Sequence, residues 1–265
     1  MMWRPVWGII ERELVRMIRQ RGRLVSTAVR PLIWLVVIGS GYNAILGNIG
    51  SHGYHYFLVP GVLGMVMLFG AMLVSLTVVY DKEFGVMRLL ITAPLPHYWI
   101  VVAKVISGAV IAVVQAAAFA LLLAPFGYIG SEVSVLLLVL GLITTALACA
   151  SLGIVIGVWS STLDNFAVVM NFVIFPVFFL SGALYPVQKL PDFLKLVAVI
   201  NPFTYGVDLL KHALLGSSAN LLGTDFGVAL DVTVLLGFTI AATFVACLRF
   251  THESAAGLLQ FLRAN

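Results

Sequence analysis

PLIWLVVIGSGYNAILGNIGSHGYHYFLVPGVLGMVMLFGAMLVSLTVVY, residues 31–80, contains no Asp, Glu, Lys or Arg. A hydrocarbon core of about 30 Å is crossed by roughly 20 helical residues, so this run holds two spans. The turn formers GNIGSHG at 47–53 divide them. The whole chain shares the bias, with 62% hydrophobic and 10% charged residues and a mean hydropathy of +1.10. Soluble domains carry about 25% charged residues, so the solvent for most of this surface must be lipid. The sequence therefore predicts an all-α integral membrane protein.

Working outward, a single transmembrane domain over 1–265 accommodates six spans, at about 25–46, 57–80, 102–126, 134–159, 166–185 and 228–249. Charge returns at Asp81, Lys82 and Glu83, and SSTLDN at 160–165 is a short polar connection. Six spans leave no room in these residues for an ATP-binding domain, so transport would draw its energy from another chain. Before the first span, residues 1–24 read as an amphipathic elbow helix. Trp3, Trp7, Ile10, Leu14, Met17 and Ile18 fall on one side, and Arg12, Arg16, Arg19 and Arg23 on the other. Such a helix lies in the interface with its basic face toward anionic headgroups, although a soluble partner helix has the same pattern. No cleaved signal is expected, because seven arginines and two glutamates precede Pro31 and no apolar core with a cleavage site follows.

Charge orients the spans. With the N-terminus cytoplasmic, twelve of the 15 Lys and Arg residues fall on the inner side and three, Lys189, Lys195 and Lys211, on the outer. Both termini are then expected inside. The net charge of +4 is topological on this reading, and no nucleic-acid partner is implied. The outer segment 186–227 is too broken by Pro and Gly for a simple span. Residues 190–200 and 204–215 suggest a short external re-entrant helix pair, with an ordinary loop as the alternative.

Catalytic chemistry is not visible. Glu132, Asp164, Asp208, Asp225 and Asp231 lie at or beyond span ends, so no carboxylate pair faces another at mid-membrane. The five histidines show no metal-ligand spacing, and no phosphate-cradling GxxxxGK[ST] loop occurs. The expectation is no metal, no cofactor in this chain and no enzyme. Cys149 and Cys247, both in apolar runs, read as small buried hydrophobes. Small residues pepper the second and fourth spans, among them Gly61, Gly64, Ser75, Gly153 and Gly157. They serve either packing within the bundle or a dimer seam.

Four blocks carry a resemblance. They are LVPG at 58–61, YDKEFGVMRLLITAPLP at 80–96 followed by Lys104, FLSGALYP at 179–186 continuing to Pro191, and NPFTY at 201–205 with Asp208 and Lys211 beyond. In this order they resemble the permeases of type-2 ATP-binding-cassette exporters, including those for drugs and lipo-oligosaccharides. Lys211 departs from the Arg that many members carry. The resemblance implies a permease subunit in the bacterial inner membrane, without its own ATPase site. It implies a second permease copy, read here as a homodimer with a related heterodimer as the alternative. Two copies of a cytoplasmic ATPase would bind ATP and Mg²⁺. It also implies that 83–96 is a coupling helix docking on that ATPase, through Glu83, Gly85, Arg88, Leu89, Leu90, Ala93 and Pro94. Pro186, Pro191, Asn201 and Pro202 would belong to the external re-entrant region. The substrate pathway would run between the copies, lined mainly by the first, second and fifth spans. Phe172, Phe175, Phe178 and Phe179 are candidates for that lining, or else face lipid. The rival readings are a non-transporting membrane scaffold or regulatory subunit, and a lipid-modifying enzyme. The enzyme lacks converging polar groups.

Overall fold

The computed structural model describes residues 3–46, 48–49, 52–87, 96–127, 129, 133–216 and 224–264. These form nine α-helices: α1 (Trp3–Arg19), α2 (Arg21–Leu46), α3 (Tyr54–Glu83), α4 (His97–Leu123), α5 (Val135–Trp159), α6 (Leu163–Phe179), α7 (Asp192–Ile200), α8 (Pro202–Leu215) and α9 (Val228–Ala264). A two-residue antiparallel ladder, Asn48↔Gly53 and Ile49↔His52, closes the turn between α2 and α3. The pairing of 48–49 with 52–53 is what so turn-forming a composition requires.

Helix α3 is the axis of the bundle. It packs against α2, α4, α5, α6 and α8, and nearly all of its apolar length is buried. Uniform hydrophobicity, with no polar face, is what a helix enclosed on every side needs. The second span is therefore largely enclosed within its own chain. Among the described residues, α3, α4, α5 and α9 are long and apolar enough to cross a membrane, and the bent pair α7–α8 makes a fifth if taken as one span. The sequence suggests six. The difference lies in α2, whose apolar part is Val29–Tyr42, and in the 17-residue α6. At 1.5 Å per residue, α6 is about 26 Å long, short of a 30 Å core.

Helix α6 stops at Phe179 rather than continuing to 185, and its end is closed by side chains. In apolar surroundings the last carbonyls of a helix need partners from the protein. The Val177 carbonyl accepts from Asn201 Nδ2 (2.7 Å), that of Phe178 from Ser181 Oγ (2.6 Å), and that of Phe179 from the Tyr185 hydroxyl (2.7 Å). Gly182, at φ +73°, then turns the chain back.

The α7–α8 pair bends by 86° at Asn201. Asn201 Oδ1 caps α8 by accepting from Phe203 N–H at 3.1 Å, and Pro202 takes the first helical position. Thr204 Oγ1 and the Tyr205 hydroxyl donate back to the Ala198 and Val199 carbonyls, at 2.7 and 2.8 Å. Every polar residue of NPFTY thus closes a helix end. Pro186 precedes a single 3-10 turn, Val187–Lys189, and Pro191 sits just before α7.

Close approach of α5 to α3 uses the small residues. A Cβ on Gly157 would lie 2.9 Å from the Ser75 carbonyl oxygen, and one on Gly153 would lie 2.2 Å from Ser75 Oγ. A Cβ on Gly61 would meet Ala183 at 2.6 Å. Of the two uses the sequence allows for these glycines, packing within the chain is the one found here.

Candidate functional site

Where α3 ends and α4 begins, the apolar bundle holds a buried cluster of charge. Helix α1 lies across this end, packed on α4, with Val6, Ile9, Ile10, Glu13 and Met17 buried. Glu13 is fully enclosed, as are Asp81 near the end of α3 and Lys104 in the second turn of α4. Lys104 Nζ donates to Asp81 Oδ2 (2.7 Å), Glu13 Oε1 (3.1 Å) and Thr77 Oγ1 (3.1 Å). Arg12 reaches the same two carboxylates at 3.0 and 2.8 Å, and Arg16 lies 3.5 Å from Asp81 Oδ1 and over the Tyr80 ring. Three cations and two anions interlock, which is how charges survive burial.

The next two residues wire the end of α3 to the rest of the bundle. Lys82 Nζ donates to the Val158 carbonyl near the end of α5. Glu83 Oε2 accepts from the Leu163 N–H at the start of α6, 3.0 Å away. That carboxylate sits at a helix N-terminus, where unpaired N–H groups and the helix dipole favour it. Phe84 then stacks on Tyr80 with two-thirds of its surface exposed, and Gly85 turns the chain at φ +74°. Residues 81–85 are thus joined to α1, α4, α5 and α6 together. A rigid displacement of this segment would reach all four helices, since packed elements move as bodies.

Several expectations change here. Arg12 and Arg16 fold onto Asp81, Arg19 stays exposed, and Trp7 and Ile18 face outward beside the buried stripe. The side chain of Arg23 is outside the described residues, as are Arg88, Leu89, Leu90, Ala93 and Pro94. Glu83 ends α3 rather than starting a short helix. Asp81 is the residue that holds the basic helix. On α6, Phe172 and Phe175 are exposed and Phe179 is half-buried. Phe178 is buried edge-on to Trp34, so the four do not share one face. Glu13 is the residue that sequence reasoning missed. Its signal was an acid at the same helical phase as Val6, Ile10 and Met17, where an apolar residue belongs.

Burial disfavours ionisation of Glu13, but Lys104 and then Arg12 outweigh it and hold the carboxyl below its ordinary 4.5. Its contribution to stability is therefore complete above that ordinary value and is lost as pH falls through the lower folded one. Melting temperatures in detergent should drop more steeply below pH 4.5 in the wild type than in Glu13→Gln, which starts lower and stays flatter. Parallel curves would remove Glu13 from the acid response.

Apolar helices long enough to cross a bilayer, stitched at one end by a buried ionic cluster, define a multi-pass membrane protein. The sequence-family model for ABC-2 type transporters matches residues 4–215, and the chain belongs to that family. It is 28% identical over 195 residues to Nodulation protein J of Rhizobium leguminosarum bv. trifolii, covering 73% of this chain and 74% of that one. It is 27% identical over 236 residues to the Inner membrane transport permease YadH of Escherichia coli K12, covering 85% and 89%. Against the Putative transport permease ycf38 of Cyanophora paradoxa it is 27% identical over 215 residues, covering 77% and 71%. The chain is a transmembrane transport permease.

Proposed function

We infer that this permease is the membrane half of an ATP-driven exporter, working as a dimer with two copies of a separate cytoplasmic ATPase that bind ATP and Mg²⁺. On this reading α2, α3, α4, α5, α6 and α9 are the six spans. Both termini lie on the cytoplasmic face of the inner membrane, as the distribution of Lys and Arg favours. The α7–α8 pair covers the outer mouth. A substrate pathway between copies would be lined by α2 and α6, which expose Val36, Val37, Phe172 and Phe175. An amphipathic or lipid-linked substrate suits so apolar a wall.

The observation that carries the reading is the wiring of 81–85. ATP-driven closure of the ATPase pair would push on 83–96, and the Asp81 cluster with the Glu83 cap would pass the movement to α1, α4 and α6. Phe84, exposed beside this cluster, is the anchor proposed for the ATPase. Truncating a central aromatic anchor at an interface costs about 2 kcal/mol, roughly 30-fold in affinity. The test is to copurify the chain with a co-expressed cassette ATPase and measure complex formation and stimulated ATP hydrolysis. Phe84→Ala is expected to weaken the complex by that factor while the permease alone melts as wild type does. Unchanged affinity and hydrolysis would sink the docking assignment. A scaffold would bind the ATPase without any substrate-dependent hydrolysis.

A further inference from the structure

At the opposite end of the bundle from Asp81, two helices bring together side chains that the transport reading does not use. Asp208 and His212 stand one turn apart on α8, and Asp231 projects from the first turn of α9. One ring nitrogen of His212 and one oxygen from each carboxylate lie within 4.8 Å of one another. Asp231 is completely buried, and neither of its oxygens has a hydrogen-bond partner. An unpaired carboxylate in such a place carries a desolvation cost of several kcal/mol.

The neighbours leave that cost standing. Asp208 accepts from the Asp225 and Phe226 N–H groups at 2.8 and 2.9 Å. Asp225 accepts from the Val187 and Gln188 N–H groups and faces Lys211 Nζ at 3.7 Å. Among the described residues Asp231 has no ion pair or hydrogen bond, and a cation held between it and Asp208 would balance both carboxylates.

We propose that Asp208, His212 and Asp231 form a binding site for a divalent transition-metal ion of the zinc class, clasping α8 to α9. The donor set selects the metal. One imidazole and two carboxylates suit zinc, whereas magnesium and calcium take oxygen ligands alone. Bonds of about 2.0–2.2 Å place donors up to roughly 4 Å apart, so the three close on an ion by under about 1 Å. His212 Nε2 lies 2.9 Å from the Phe226 carbonyl oxygen, which can only accept, so this nitrogen carries the proton and Nδ1 is the one left to bind a metal. A carbonyl beside the imidazole is a partner that metal-bound histidines commonly keep for their second nitrogen. The clasp would tie α8, 224–227 and α9 into one unit. Sequence spacing hides it, because Asp231 comes from a different helix.

The test uses the full chain in detergent, freed of any histidine tag, with zinc ion alone as the probe. Wild type is expected to retain one zinc per chain after desalting, to melt several degrees higher with zinc, and to show N/O ligands near 2.0–2.1 Å by X-ray absorption. Asp231→Asn and His212→Gln should each weaken binding at least tenfold and abolish the melting shift. His55→Gln should change neither. Asp231→Asn removes an unpaired charge without changing shape, and the half-buried His212 gives a second variant should the first fold poorly. Zinc retention equal to wild type in either variant would overturn the site. So would the absence of stoichiometric zinc in the wild type, which would leave Asp231 as a protonated buried acid.

Discussion

Asp81→Ala is expected to destabilise the permease by about 3–5 kcal/mol, because it takes the nearer of two carboxylates from the buried Lys104. Lys104 Nζ is 2.7 Å from Asp81 Oδ2 and just as buried, so it loses its nearest counter-charge without gaining water. The cost comes mostly from the cation left behind. Replacing both partners by apolar residues, Asp81→Leu with Lys104→Met, should therefore cost less than the two single changes added together. Denaturant or thermal unfolding in detergent would give all four corners of that cycle. A second readout separates stability from coupling. If the cluster only holds the fold, the apolar double variant regains both its melting temperature and ATPase stimulation. If it transmits movement, the melting temperature returns and stimulation does not. An Asp81→Ala protein within 1 kcal/mol of wild type, as an order of magnitude, would mean that the cluster is solvated and adds little.

The sequence is most legible where composition alone decides. Residues 31–80 must be two apolar helices because nothing else could hide so much uncharged backbone in lipid. The caps of NPFTY and the turn at 47–53 are local chemistry, and local chemistry can be read in one dimension. Helix ends set by distant side chains are harder. The end of α6 at Phe179 depends on Asn201 and Tyr185, which lie beyond it in the chain. Helix α9 runs through to Ala264 although its apolar stretch ends near Arg249, because leaving the membrane does not end a helix. The enclosure of α3 was equally invisible, since an apolar residue facing lipid and one facing protein look alike.

Of the candidate site, the run at 81–83 and Lys104 stand out as charges beside spans. What they touch does not. Arg12 and Arg16 look like a headgroup-facing stripe until Asp81, more than sixty residues away, is placed under them. Glu13 would have pointed to this partner, because an acid inside an apolar stripe predicts a buried cation opposite it. Asp231 is similar: at a span end it reads as solvated, and only the packing of α9 on α8 shows it enclosed.

Lipid tails are as apolar as leucine, so helices in a bilayer hold together through close packing rather than expulsion of water. The contact of α5 on α3 is therefore where a small change should have a large effect. Gly157→Val is expected to prevent accumulation of folded protein, because its Cβ would lie 2.9 Å from a main-chain oxygen that cannot rotate away. Gly153 faces the same residue differently, with its Cβ at 2.2 Å from the Ser75 side-chain oxygen and 3.2 Å from Met72 Sδ. Gly153→Ala should cost about 1–3 kcal/mol through overpacking, partly offset by better helix propensity. Adding Ser75→Gly removes the clashing Oγ and should return most of that loss. The same Ser75→Gly change should do nothing for Gly157→Ala, whose obstacle is the backbone. Fluorescence-detected size exclusion of the single and paired variants would read all of this directly. Rescue of both glycines, or of neither, would show that α3 and α5 do not meet through Ser75.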